Sequence, residues 1–134
     1  MTTIDLGAEN FESTVKDNGI VFVDFWASWC GPCRQFAPVY EQASEDNPDL
    51  VFGSVNTEEE RELSGAAGIT SIPTLMAFKE GALVFAQPGA LPPDALTKLI
   101  GAVRELDMDD VRAQADAAAD AEANDGANAG AKDA

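Results

Sequence analysis

Histidine is absent from this 134-residue chain. That removes the side chain most often used as a general base and as a metal ligand. Cysteine is scarce as well: there are two, and both fall within the stretch Trp29-Cys30-Gly31-Pro32-Cys33. A C-x-x-C spacing is too short to staple distant parts of a fold. Two cysteines without a histidine also fall short of the four ligands a structural zinc ion usually takes, so no metal site is expected. Positive charge is sparse, with 8 Lys and Arg against 24 Asp and Glu and a net charge of −16. Such a chain repels phosphate backbones and anionic lipid surfaces, which argues against nucleic acid or membrane partners. No apolar run approaches membrane-spanning length. The opening residues Met1-Thr2-Thr3-Ile4-Asp5 carry neither the basic nor the apolar region of an export signal. The expectation is a cytoplasmic protein in a reducing compartment, where a structural disulfide would be unusual.

What is present divides near Asp107. Residues 1–106 mix apolar segments with turn signals and are long enough for a single packed domain. Residues 107–134 are rich in Ala, Asp, Asn and Gly, with only Met108 and Val111 as larger apolar groups. A segment this poor in large apolar side chains cannot offset its ordering entropy by burial. It is expected to be an acidic tail, partly helical as a continuation of the preceding helix over Asp109–Ala123, then disordered from about Asn124.

Within the body, strands alternate with helices. Ala8–Lys16 has helical spacing through Phe11 and Val15. Ile20–Trp26 is an almost continuously apolar strand, as expected for a central strand covered on both faces. Cys33–Glu45 reads as a helix carrying Phe36, Val39, Tyr40 and Ala43 inward, with a kink expected at Pro38. Val51–Asn56 is a third strand and Glu59–Ala67 a short helix ended by Gly68. Thr74–Lys79 and Leu83–Gln87 flank the turn Glu80-Gly81-Ala82, and Pro92-Pro93-Asp94 opens a last helix. This order argues for an α/β three-layer sandwich with a mixed sheet.

The chemistry centres on Cys30 and Cys33. The thiolate is the attacking species in disulfide exchange. Cys30 falls at a strand-to-helix junction, where free N–H groups and the helix dipole favour a negative charge. Cys30 is therefore the expected nucleophile, and Cys33, one turn further in and less exposed, the resolving thiol. A pair of structural or zinc-binding cysteines is the alternative. Asp24 is the only ionisable group in the strand Ile20–Trp26, and burial without a partner should raise its pKa.

The segment Val23-Asp24-Phe25-Trp26-Ala27-Ser28-Trp29-Cys30-Gly31-Pro32-Cys33 resembles the active-site segment of thioredoxins. Ile72-Pro73-Thr74 resembles that family's cis-proline loop, and Phe78-Lys79-Glu80-Gly81 with Gly89-Ala90 its later hairpin and glycine. The resemblance covers residues 1–106 in order. It implies the thioredoxin fold, with a mixed sheet of four or five strands flanked by helices. It also implies a protein-disulfide reductase that needs no bound cofactor, using NADPH indirectly through thioredoxin reductase. Its partners would be that reductase and client proteins with disulfides, and a monomer is expected. By the same resemblance Asp24 accepts the proton of Cys33, and a cis Pro73 lets Ile72 offer its backbone to an extended substrate. Trp29, Gly31, Pro32, Gly89 and Ala90 would complete an apolar landing surface, with Trp26 half in the core. Arg34 stands where many relatives have lysine.

One position departs from the pattern. Many thioredoxins place a lysine beside the buried aspartate, and the aligned residue here is Ser54, which cannot form an ion pair. The Asp24 pKa is therefore expected to be raised further than in lysine-bearing relatives. Two other functions compete: an oxidant or isomerase that donates its disulfide, and a binding module whose cysteines are dispensable. Gly31-Pro32 resembles the reductant branch.

Overall fold

The computed structural model describes residues 3–113. Five strands form one sheet in the order β1-β3-β2-β4-β5, from β1 (Thr3–Asp5), β2 (Ile20–Trp26), β3 (Val51–Asn56), β4 (Thr74–Lys79) and β5 (Ala82–Pro88). β1, β3 and β2 run parallel, and β4 and β5 are antiparallel. Four helices cover it: α1 (Phe11–Asp17), α2 (Gly31–Asp46), α3 (Arg61–Ala66) and α4 (Pro93–Glu105). The α/β sandwich with a mixed sheet expected from the sequence is what forms.

The period-two alternation of β2 decides which residue serves which layer. Val21, Val23 and Phe25 turn to one face and pack with Leu6, Val15, Val55 and Met76, under α1 and α3. Phe22 turns to the other face and packs with Phe36 and Tyr40 of α2, Phe52 of β3, and Leu96, Ile100 and Val103 of α4. There the Phe22 and Phe52 rings stack at 5.2 Å and the Tyr40 ring meets Phe52 edge-on at 5.4 Å. Asp24 lies two residues on from Phe22 and therefore on this same face, toward the start of α2. That is why a carboxyl in an apolar strand ends up beneath the C-x-x-C segment.

Several elements differ from expectation, with α3 starting at Arg61 rather than Glu59 and β5 running Ala82–Pro88 rather than Leu83–Gln87. β1 has no counterpart among the elements expected from the residues. It is only three residues long and at the sheet edge, so it lacks a periodic signal. α1 begins at Phe11 rather than Ala8, because residues 8–10 form a turn in which the Asn10 side chain accepts from the Gly7 N–H at 2.7 Å. α2 begins at Gly31 rather than Cys33 and runs through Pro38 as one element.

Past α4 the chain does not continue the helix. α4 stops at Glu105, and Lys79 Nζ donates to the carbonyls of Val103, Arg104 and Leu106 at 2.8–2.9 Å. A separate helical turn over residues 108–113 follows. Asp107 starts it, its Oδ1 accepting from the Asp109 N–H at 2.9 Å and the Asp110 N–H at 3.4 Å. Met108 is buried and Arg112 pairs with Glu80 of the β4–β5 turn at 2.8 Å. Helicity and disorder beyond residue 113 lie outside the described residues. Because Met108 is buried, Met108→Ala should destabilise the domain by about 2–3 kcal/mol, as truncation of a buried methionine does. Urea denaturation followed by circular dichroism checks this; a change within error of zero would show that this turn adds nothing to the fold.

Candidate active site

The site forms where β2 ends and α2 begins. Pro32 occupies the first helical turn, where a missing N–H costs little. Cys30 is the N-cap, and its Sγ accepts a hydrogen bond from the Cys33 N–H at 3.1 Å. Cys30 and Cys33 are joined as a disulfide, with Cα atoms 5.2 Å apart. The expected difference in exposure is not seen: Cys30 is 3% and Cys33 2% exposed. Burial therefore does not distinguish the two sulfurs. What does is their surroundings, since Cys33 lines a cavity of about 210 Å³ that also contains Asp24.

Asp24 is 4% exposed, and among the described residues its Oδ1 has no hydrogen-bond partner. Burial pushes its pKa up to about 7. Ser54 is its register partner across the parallel β2–β3 pair and lines the same cavity, so the neighbouring position carries no charge. The Tyr40 hydroxyl donates to the Gly53 carbonyl at 2.7 Å beside it. Burial holds that hydroxyl well above its ordinary pKa, with the nearby Asp24 charge adding to the effect. Ser54→Lys would place an ammonium in this space, and the Asp24 pKa should fall from about 7 toward the ordinary carboxylate range. A ¹³C NMR titration of the Asp24 carboxyl in both proteins checks it; an unchanged midpoint would remove Ser54 as a determinant.

The loop residues arrive from three directions. The Ile72–Pro73 peptide bond is cis, as the resemblance implied. Pro73 is buried, and Ile72 packs against the cluster of Ala27, Cys30 and Cys33. The Gly89 N–H donates to the Pro73 carbonyl at 2.7 Å, which ties the end of β5 to this loop. Gly89 has φ +106°, a conformation that L side chains rarely adopt. Ala90 is exposed next to it. Trp26 is half-buried against the cysteine cluster, while Trp29 is 65% exposed. Arg34 lies at the cavity and donates to the Ser28 carbonyl at 3.2 Å.

Glu58 joins the site without a signal in the sequence. Its carboxylate accepts from the Trp29 indole N–H at 2.7 Å and pairs with Arg61 at 3.1 Å, so the exposed ring is held in one orientation. Glu58-Glu59-Glu60 reads in sequence as a solvated acidic run, and nothing in it distinguishes Glu58 from its neighbours. No group of three or more potential metal-ligating side chains occurs among the described residues, and no helix there is long and apolar enough to cross a membrane.

A cysteine pair closing on itself at a helix N-terminus, beside a buried carboxyl and a cis-proline, defines a thiol–disulfide oxidoreductase on the thioredoxin fold. Comparison with known proteins agrees. The thioredoxin family model matches residues 2–102. The chain is 63% identical over 111 residues to a protein assigned as thioredoxin 2 in Streptomyces coelicolor, covering 83% of each. It is 39% identical over 89 residues to the thioredoxin of Bacillus subtilis, covering 66% of this chain and 86% of that one. Among solved structures, a mutant thioredoxin of Halobacterium salinarum superposes with a TM-score of 0.73 at 32% identity, covering 78% of this chain and 93% of that one. The chain belongs to the thioredoxin family.

Proposed function

We propose that this chain works as a protein-disulfide reductase through Cys30, Cys33 and Asp24. The observation that carries the assignment of roles is the cavity whose lining includes Cys33, and not Cys30, together with the buried Asp24. The Cys30 thiolate attacks a client disulfide. A Cys30–client bond forms, and the other client sulfur leaves as a thiolate that takes a proton from solvent. Cys33 Sγ then attacks Cys30 Sγ. The Cys30–Cys33 bond forms, the Cys30–client bond breaks, and the electron pair leaves on the second client sulfur, which is also protonated from solvent. The proton of Cys33 passes to Asp24. No bound cofactor is needed, because the electron pair resides on the two sulfurs.

Substrate contact is proposed for Trp29, Gly31, Pro32, Ile72, Pro73, Gly89 and Ala90, which surround the disulfide. Restoration of the dithiol is assigned to thioredoxin reductase with NADPH, in the cytoplasm, with the chain acting as a monomer. The test is insulin reduction with a bacterial thioredoxin reductase and NADPH, repeated with dithiothreitol as the electron source. Turnover in both supports the reading. Turnover with dithiothreitol alone would remove the reductase assignment, and none in either would overturn the activity.

A further inference from the structure

The cavity beneath the disulfide is not a closed pocket around Asp24. It extends along α2 to the half-buried Glu41, and its lining includes Thr3 from the sheet edge. Cys33, Ala37 and Glu41 stand at i, i+4 and i+8, one stripe of the helix that runs the length of the cavity. The thiol is at one end of the stripe and the carboxylate at the other, about 12 Å apart along the axis at 1.5 Å per residue. Between them Ala37 presents only a methyl group, and below lie Asp24 and Ser54. A lysine at position 54 would fill this space; the serine leaves it open.

The volume suffices for several waters, and polar atoms line it at intervals: the Asp24 carboxyl, the Ser54, Tyr40 and Thr3 hydroxyls, and Glu41. Among the described residues Asp24 Oδ1 has no protein partner, and Asp24 lines a space wide enough for water. The other groups facing the cavity are poor final proton acceptors. Tyr40 already donates to Gly53 and remains a neutral phenol. Arg34 is a permanent cation engaged with the Ser28 carbonyl. Thr3 Oγ1 donates to Glu41 Oε2 at 2.9 Å and so fixes the carboxylate at the cavity rim. We propose that this cavity is the proton outlet of Asp24, a water-holding passage opened by Ser54, with Glu41 as the positioning residue that passes the proton to solvent.

The inference rests on Asp24 as the acceptor of the Cys33 proton, but it is tested without turnover. The exchange rate of the Asp24 proton with solvent is read from the line shape of its carboxyl ¹³C resonance near the titration midpoint. In the wild-type protein the resonance should move as one averaged line. Ser54→Leu, which fills the passage, should slow exchange by about a hundredfold, the low end of what a positioned proton-transfer group contributes. The line would then split into two. Glu41→Gln should broaden it. Glu41→Asp should restore most of the rate, and a small buffer base at high concentration should rescue the glutamine variant. Neither rescue is expected if Glu41 is only structural. Unchanged averaging in both Ser54→Leu and Glu41→Gln would overturn the outlet and leave the reductase reading intact. Failure of the insulin assay with the outlet behaviour present would do the reverse.

Discussion

Cys30→Ser should abolish insulin reduction, whereas Cys33→Ser should retain the first chemical step and stop at the second. The asymmetry follows from geometry rather than from exposure, which is nearly equal for the two sulfurs. Cys30 is the N-cap of α2, with the Cys33 amide directed at its sulfur at 3.1 Å. A serine hydroxyl there supplies no thiolate and no sulfur for the electron pair, so turnover falls to background. In Cys33→Ser the nucleophile is intact and the mixed disulfide with the client forms, but no intramolecular thiol is left to resolve it. A covalent complex, stable without reductant and released by dithiothreitol, should accumulate and be visible by mass spectrometry. Should Cys30→Ser trap the client and Cys33→Ser not, the two roles are reversed. The double Ser variant also tests for a pure binding module: retention of biological activity in it would mean that the cysteines are dispensable.

Much of this site is legible in the sequence, and the reasons are local. β2 carries a β-branched and aromatic run with sharp ends, and both Ile20–Trp26 and Val51–Asn56 appear at the expected bounds. The two-residue Glu80-Gly81 loop, with φ of 52° and 82°, has the left-handed pair a tight hairpin needs, and glycine at the second position announces it. The alignment of Ser54 with Asp24 is a matter of register, and the parallel β2–β3 pairing places them side by side as the motif order implied. What could not be read depends on side chains meeting across long separations. Glu58 finds Trp29 from 29 residues away, and Lys79 reaches the end of α4 across 24 to 27. Met108 looks like an isolated apolar residue in an acidic tail, because its burial depends on the body of the domain closing over it. The cavity is a property of what Ser54 and Ala37 leave unfilled, and small residues carry no sequence signal of the space beside them.

Removing the Asp24 charge should stabilise the protein while it cripples the chemistry. The carboxyl is buried, and burial alone lifts its pKa to about 7. The unfolded chain titrates at about 3.9, so between the two values the native state holds a proton that the unfolded state has lost. Stability therefore falls as pH rises through that window and levels off above it. The full difference is on the order of 4 kcal/mol at 1.36 kcal/mol per pH unit. Asp24→Asn keeps the shape and cannot ionise, so its advantage over wild type should be near zero at pH 4 and grow to about 2–4 kcal/mol by pH 8. The lower figure allows for a buried amide that is also short of partners. Taking the difference between the two proteins cancels the titration of the other acidic residues, which matters in a chain of net charge −16. Urea unfolding at pH 4, 6 and 8 measures it, and a pH-independent difference would mean that Asp24 is not held protonated by the fold. The same substitution should slow release of client from the Cys30 mixed disulfide by about a hundredfold or more, the usual contribution of a positioned base. On the proposed mechanism, one carboxyl lowers the stability of the resting protein at neutral pH for the sake of a single proton transfer. The absence of a lysine at position 54 leaves that conflict uncompensated by any neighbouring charge.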